Sequence, residues 1–474
     1  MQLNGLSYHL RTFGCQMNQH DSERIAGMLD ALGARPTDDI EQADLVVFMT
    51  CCVREAADRR FLGQAASLKN LPIKNTSNGL NGRRLIAVGG CIGQRDGAEL
   101  LKQLPHIDIV FGTHNIPSLP GLLEAVLNGE GPQVEVLEDG EAESVSAAPP
   151  RRAQADLATA PPRRAQAWHA WVPISTGCDN HCAYCIVPRV RGREISRPFE
   201  DVLQEVESLL ADGVVEITLL GQNVNSYGRD LYGKLRFAEL LRAIGTSGIQ
   251  RLRFTTSHPR DLDEQTIAAF AETDAVMPQL HLPLQSGSDR VLAAMNRHYS
   301  AEHYRQLVQS LRQATAAAGK GDGTAQGSVA LSTDIIVGFP GETEADFQAT
   351  CDLVAETGFA QAFTFIYSPR AGTPAAELPD DTPAEVIQER FQRLVAIVQQ
   401  SAWQQNQREL ATVAPVLFEG SSKRDAAMLS GRSPKNTTVH VPLPAGAAVG
   451  DFTGRILPVR IESARTWYLR GELA

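Results

Sequence analysis

Three thiols are packed into Gly177-Cys178-Asp179-Asn180-His181-Cys182-Ala183-Tyr184-Cys185, separated by three and then two residues. Thiolates are soft anionic ligands, and this spacing lets one short loop wrap three corners of a cubane iron–sulfur cluster while the fourth iron keeps an open position. Such an iron can bind something else. A structural zinc loop is the plain alternative, but zinc patterns pair two knuckles, and no second CxxC or HxxxH follows at the expected interval. A disulfide framework suits short secreted chains, whereas this one has 474 residues and eight cysteines.

Three more thiols share one position relative to an apolar run. Tyr8 to Phe13 leads to Gly14-Cys15, Leu45 to Met49 leads to Thr50-Cys51, and Leu85 to Val88 leads to Gly89-Gly90-Cys91. Helical patterns lie between them, such as Asp21 to Leu32 with Ile25, Met28, Leu29 and Leu32 on one face. Alternating strands and helices form a parallel sheet whose functional crevice lies at the carboxyl ends of the strands. Cys15, Cys51 and Cys91, distant in sequence, are thereby expected to meet and hold a second cluster. Adjacent side chains on an extended or turning backbone point in different directions, so Cys51 and Cys52 do not easily ligate one cluster together, and Cys51 is the favoured ligand.

With 43% apolar residues the chain can bury more than one core, and its length calls for two or three domains. Met1 to Arg11 lack a signal-peptide run, and no stretch is apolar for the length of a bilayer, so a cytoplasmic location without membrane attachment is expected. A net charge of −11 argues against a surface that coats nucleic acid as a whole, though not against a local basic module.

The expected organisation is an amino-terminal parallel α/β domain (1–128), a linker (129–167), a partial (β/α)6 barrel (168–410) and a small all-β, OB-like barrel (411–474). The linker repeats Ala-Pro-Pro-Arg-Arg-Ala-Gln-Ala at 148–155 and 160–167, which suits a semi-extended tether, with Arg151, Arg152, Arg163 and Arg164 solvated. Six strand-like runs follow: Val172–Thr176, Val215–Leu220, Arg251–Thr256, Met277–Leu284, Val329–Val337 and Ala362–Tyr367. The chemistry of such a barrel belongs at the carboxyl ends of its strands. There the sequence places Gly221-Gln222-Asn223, Ser257-His258-Pro259, Gln285 to Ser288, Gly338 to Thr343 and Tyr367 to Arg370. Arg297 is expected in a surface salt bridge, Cys351 in the core, and the glycine-rich 316–328 as a surface insertion. Thr382-Pro383-Ala384-Glu385 has the form of a capping box opening a helix that packs on the barrel.

After Leu410 the pattern changes to five short alternating runs: 413–419, 427–430, 437–441, 454–461 and 466–471. From Gln405 onward there are nine Lys or Arg against six Asp or Glu, so a mildly basic module ends an acidic protein. With Trp467, Tyr468 and Phe452 it is a candidate for RNA backbone and unstacked bases.

The cysteine loop resembles the radical S-adenosylmethionine (SAM) superfamily. Together with Phe13-Gly14-Cys15-Gln16-Met17-Asn18, Thr50-Cys51-Cys52-Val53-Arg54-Glu55 and Gly89-Gly90-Cys91-Ile92-Gly93-Gln94, the chain resembles the radical SAM methylthiotransferases, closest to those acting on isopentenyl-adenosine in tRNA through Pro188 to Pro198. The family pattern has Asn before Thr-Cys and a small non-thiol residue after it; this chain has Met49 and Cys52. The resemblance implies a radical-generating 4Fe-4S cluster on Cys178, Cys182 and Cys185, an auxiliary 4Fe-4S cluster on Cys15, Cys51 and Cys91, and SAM beside Tyr184, Gly221, Gln222, Ser257 and Gln285. One SAM would donate a methyl group to sulfur, and a second would yield the radical that removes hydrogen from carbon 2 of the adenine next to the anticodon. Implied partners are the tRNA anticodon stem-loop, a low-potential donor such as flavodoxin or ferredoxin, and iron–sulfur assembly proteins, with a monomeric chain. Glu419 to Lys423 and Gly431-Arg432 resemble the TRAM domain, an RNA-binding barrel. Two alternatives stay open: a sister activity on threonylcarbamoyl-adenosine or a ribosomal protein aspartate, and a non-catalytic iron–sulfur RNA-binding protein.

Overall fold

The computed structural model describes residues 3–52, 55–72, 80, 82–137, 160–321, 327–380 and 382–474. They fall into two compact units, one of 1–165, 176–181 and 185–195, the other of 166–175, 182–184 and 196–474. Among the described residues no helix is long and apolar enough to cross a membrane.

The first unit is a six-stranded parallel sheet of β1 (Ser7–Thr12), β2 (Arg35–Pro36), β3 (Leu45–Thr50), β4 (Leu85–Gly90), β5 (Ile109–Phe111) and β6 (Gln133–Glu135), in the order β2-β1-β3-β4-β5-β6. Strand side chains alternate between faces, and both faces are covered, so β3 is apolar from Leu45 to Met49. Val47 and Met49 pack with Ile25, Met28 and Leu29 of helix α1 (Gln16–Ala31), while Val46 and Phe48 pack with Phe61 and Val88 on the other side. Thr12 lies level with Met49 and Thr50 with Gly90. The carboxyl ends of β1, β3 and β4 are thus neighbours.

The sequence starts α1 at Asp21, five residues late, because its first turn carries the buried polar Asn18 rather than an apolar stripe. The first copy of the linker repeat lies outside the described residues, apart from which the second is no free tether. The Arg163 backbone N–H donates to the Glu23 carbonyl (2.9 Å), its guanidinium pairs with Asp30 (3.1 Å), and Ala165 N–H donates to the Glu23 carboxylate (3.0 Å).

The second unit opens with two parallel three-stranded sheets. One is β7 (His169–Pro173), β8 (Glu216–Leu220) and β9 (Arg251–Phe254); the other is β10 (Gln279–His281), β11 (Ala330–Val337) and β12 (Gln361–Ile366). A single Leu252–Val276 bridge links β9 towards the second sheet, giving the expected open six-stranded barrel. Helix α2 (Phe199–Ala211) starts after Pro198 as expected and buries Val202, Val206 and Leu209. Cys351 is core, its thiol pushed up to about 11 by burial. Helix α3 (Ala384–Gln407) packs Leu394 and Val398 into the same core. Its start corrects one expectation: Pro383 is the cap residue and no side chain caps it, since proline holds the extended backbone that Thr382 would otherwise adopt. Lys320, in the glycine-rich insertion, donates to the carbonyls of Phe270, Thr273 and Val276 at 2.7–2.8 Å, so this end of the insertion is pinned.

Five strands close the carboxyl-terminal barrel: β13 (Val413–Ser421), β14 (Met428–Arg432), β15 (Thr438–Pro442), β16 (Ile456–Ala464) and β17 (Tyr468–Leu473), ordered β13-β14-β15-β17-β16. Val416, Phe418, Leu429, Val439, Val459 and Leu469 fill it. Phe452 packs its ring 6.2 Å from Phe418, so it is partly core and not a surface platform. Trp467 is 49% exposed, and Lys423, Arg424, Arg455, Arg460, Arg465 and Arg470 face solvent.

Candidate active site: two sets of cysteines and a polar crevice

In the first unit the ends of β1, β3 and β4 bring four thiols together. Cys15 caps α1, Cys51 and Cys52 follow β3, and Cys91 begins the helix after β4. The Cys51 thiol hydrogen-bonds to Cys15, and Cys52 to Cys91. The chain leaves β3 in a bend, and the two adjacent thiols turn to different members of the set. The Cys51 hydrogen bond, aided against burial by Arg191, holds Cys15 below the ordinary thiol range. Cys52 and Arg191 do the same for Cys91, and the hydrogen bond to Cys91 together with burial pushes Cys52 up.

Polar residues invisible to periodicity build this arrangement. Asn18 is fully buried and its Nδ2 donates to the carbonyls of Phe13 (2.7 Å) and Thr50 (2.8 Å), tying β1 to β3 beside their cysteines. Thr50 Oγ1 donates to the Gly89 carbonyl (2.7 Å) and accepts the Ile92 N–H (3.1 Å), tying β3 to the Cys91 turn. Arg191 donates to Asn18 Oδ1 (2.9 Å) and Asp21 Oδ2 (3.2 Å), and Cys91, Asp21 and Cys15 keep it charged despite burial. A buried cation among thiols favours their ionised, ligating form. The only signal for it was its place in the Pro188–Pro198 string.

The backbone is also shaped for close approach. Gly14 has φ +106°, and a Cβ there would lie 2.2 Å from Cys51 Cβ and 2.8 Å from its Sγ. These residues fit a thiolate-ligated cluster. Among the described residues no three His, Cys, Asp or Glu converge as around one ion, while a cubane spreads its cysteines over separate irons. Gly14→Ala is expected to displace Cys51 and lower the iron of reconstituted protein from about eight to about four per chain; an unchanged iron count would refute that role for Gly14.

The Cys178–Cys185 loop is shared between the units. In the first, Cys178 N–H donates to the Gly192 carbonyl (3.1 Å), Cys178 Sγ accepts the Asn180 N–H (3.4 Å), and Gly177 sits where a Cβ would strike the Arg193 carbonyl oxygen at 1.9 Å. Asp179 accepts from Arg193 Nε (2.8 Å) and from Glu194 N–H (3.0 Å), closing the loop base. Cys185 is partly exposed. In the second unit Ala183 exchanges backbone hydrogen bonds with Met295 and Ala375, and Tyr184 packs in a cluster with Met295 and Phe339. Cys182 Sγ accepts a hydrogen bond from Arg297 Nη1 (3.3 Å). The expected surface salt bridge of Arg297 is thus wrong: the residue is 5% exposed.

The strand-end motifs of the second unit divide into two kinds. Some are consumed by the fold. Ser286 and Gly287 bond Thr350, and Ser288 caps the next helix through the Val291 N–H. Glu342 accepts the Gly338 N–H (2.9 Å), with Arg390 beside it, and burial lifts its carboxyl to about 7. His258 accepts the Arg260 N–H through Nδ1, and burial and Arg297 keep it neutral. Others are buried and unpartnered: Ser175 Oγ, Asn223 Oδ1, Asn225 Nδ2, Ser257 Oγ and Tyr367 OH. Each such atom costs about 1–3 kcal/mol unless a ligand satisfies it. Four of them follow the neighbouring strands β7, β8 and β9, and a Cβ on Gly221 would lie 2.8 Å from Ser175 Oγ, so Gly221 keeps the space open. Ser257 is therefore well placed for a polar ligand. Gln222, between Gly221 and Asn223 in sequence, is half-buried, and Gln285 is buried at φ +66°. Sequence reasoning missed Ser175 and Asn225, since small polar residues after strands otherwise mark turns, whereas Tyr367 stood in one of the expected strand-end motifs.

Two family models match: the radical SAM superfamily over residues 172–354 and the uncharacterized protein family UPF0004 over 7–112. The chain is 50% identical over 438 residues (92% of this chain, 82% of the relative) to the tRNA-2-methylthio-N(6)-dimethylallyladenosine synthase of Acidothermus cellulolyticus. To the protein of that name in Streptomyces griseus it is 46% identical over 472 residues, covering 98% and 87%. Among solved structures, the radical S-adenosylmethionine methyltransferase TsrM of Kitasatospora setae, with cobalamin and a [4Fe-4S] cluster bound, matches with TM-score 0.55 at 15% identity, over 79% of this chain and 77% of TsrM. That likeness concerns the fold.

Proposed function

We propose, for a chain that belongs to the radical SAM methylthiotransferase family through its tRNA-2-methylthio-N(6)-dimethylallyladenosine synthase relatives, the reaction those relatives are named for: methylthiolation of carbon 2 of N6-isopentenyladenosine beside the tRNA anticodon. The observation that carries this reading is 50% identity along 92% of the chain to a protein of that name. The cofactors are SAM and two 4Fe-4S clusters, which when bound supply the radical, the methyl group and the sulfur. Cys178, Cys182 and Cys185 would hold one cluster and Cys15, Cys51 and Cys91 the other. Tyr184, Gly221, Gln222, Ser257 and Gln285 would line the SAM site, with Ser175, Asn223 and Asn225 supplying unspent hydrogen bonds.

The rest of the protein's work is placement. Asn18 and Thr50 hold three strand ends in register. Arg191 holds charge beside their thiols and Arg297 beside Cys182. The target base must leave its stack to reach strand-end groups. The closed carboxyl-terminal barrel, with exposed Trp467 and its cations, supports RNA contact. A low-potential electron donor, iron–sulfur assembly proteins and a cytoplasmic location belong to the same reading. Mass spectrometry of tRNA nucleosides from a deletion strain tests it: methylthio-isopentenyladenosine should vanish and isopentenyladenosine accumulate. Persistence of the methylthio nucleoside would refute the substrate.

A further inference from the structure

We propose that Arg297 is the counter-charge of the cluster held through Cys182 and sets how readily that cluster accepts an electron. The proposal rests on the reading of Cys178, Cys182 and Cys185 as cluster ligands. Three groups surround the guanidinium: Cys182 Sγ and the Pro283 carbonyl, each at 3.3 Å, and the Tyr299 hydroxyl at 3.2 Å. Tyr299 is itself fixed, donating to the Leu284 carbonyl at 2.7 Å. Arg297 therefore has a definite orientation, with one N–H aimed at sulfur.

What is missing is a carboxylate. The other buried arginines of this unit all face one: Arg253 meets Glu216 at 2.9 Å, Arg251 the same residue at 3.9 Å, and Arg390 Glu342 at 3.5 Å. Arg297 forms no ion pair with a carboxylate among the described residues, and a guanidinium buried among a carbonyl, a phenol and a neutral thiol is strongly disfavoured. An anion at Cys182 removes the conflict. A 4Fe-4S unit on three thiolates is such an anion, and its negative charge grows by one on reduction. In that step one electron passes from a low-potential one-electron donor to the cluster; the donor is oxidised, the cluster is reduced, and no bond forms or breaks. A fixed cation with an N–H on a ligating sulfur stabilises the more negative state, so Arg297 raises the reduction potential.

The test uses the full-length, anaerobically reconstituted protein as wild type, Arg297→Met, Arg297→Gln and Arg297→Lys. Each is poised with dithionite and mediators and read by electron paramagnetic resonance, following the signal that changes when SAM is added. At the potential that half-reduces the wild type, the reduced-to-oxidised ratio of the cluster should be about tenfold lower in the Met and Gln variants, the loss expected for one charge-assisted hydrogen bond. Lys, which keeps the charge but not the fork, should fall between. A neutral variant with wild-type iron content and an unmoved midpoint overturns the proposal, as does a Lys midpoint as low as that of Met. If Met fails to retain iron, Gln decides by the same criterion. A wild type without any SAM-responsive signal would instead refute the cluster reading on which the proposal rests.

Discussion

Cys182→Ala is expected to reduce anaerobic formation of 5′-deoxyadenosine from SAM by roughly a thousand-fold or more, the scale on which activity collapses when one member of a group acting as a unit is removed. Two effects combine. The substitution deletes one of only three thiols that the loop can offer, and it leaves the Arg297 guanidinium buried beside an alanine. The informative comparison is Cys15→Ala/Cys51→Ala/Cys91→Ala. That variant should keep deoxyadenosine formation within about threefold of wild type, as for substitutions at independent sites, while losing methylthiolated tRNA. Iron should fall to about half in both proteins. Undiminished SAM cleavage in Cys182→Ala would sink the assignment of the loop. Loss of cleavage in the triple variant would mean that the two sets do not act separately. Cys52 bears on the result, because its thiol contacts Cys91 and could take the place of a deleted neighbour. A quadruple variant including Cys52→Ala should therefore lose any iron that the triple variant retains beyond one cluster.

The cysteines were legible because chemistry and architecture repeat together: a thiol directly after an apolar strand, three times, marks one end of one parallel sheet. The strands of both barrels were legible for the same kind of reason, since burial on one or both faces writes a period into the sequence. What was not legible is which polar residue the fold consumes. Gly338 to Thr343 has the composition of a ligand loop, yet Glu342 turns back to the Gly338 N–H and Thr343 caps a helix. Ser175 and Asn225 have no distinguishing pattern, and their atoms are the ones left unpaired. Asn18, Arg191 and Arg297 lie among polar neighbours in sequence, so a pattern reading places them at the surface. Only the three-dimensional path, which carries them against the cysteines, buries them.

Arg253→Met should destabilise the second unit by about 3–5 kcal/mol, the cost of leaving one member of a buried ion pair alone. Arg253 joins two parts of the chain: Nε meets Glu216 Oε2 at 2.9 Å within the sheet, while Nη1 and Nη2 donate to the Pro434 and Ser433 carbonyls at 3.0 and 3.1 Å in the carboxyl-terminal barrel. Arg251, two residues earlier on the same strand face, donates to the Arg432 and Pro415 carbonyls. The barrel is thus held through its own backbone, an arrangement that fixes its orientation whatever its surface side chains are. Methionine fills much of the volume but offers no donor, so Glu216 and two carbonyls are left without it. Urea unfolding would show a lower midpoint, and protease would cut near Ala411, whose φ of +62° marks the connection to the barrel. Adding Glu216→Met should recover at most part of the loss, because it removes the stranded carboxylate but takes from buried Arg251 the carboxylate at 3.9 Å, while the carbonyls of Ser433 and Pro434 stay without Arg253. A single variant with wild-type unfolding and protease resistance would show that Arg251 and the Asn406 bonds to the Arg465 and Thr466 carbonyls hold the barrel without Arg253. If the barrel delivers RNA, the loosened variant should lose tRNA-dependent product while retaining SAM cleavage measured without tRNA, since the Arg253 hydrogen bonds go to Glu216 and to the Pro434 and Ser433 carbonyls.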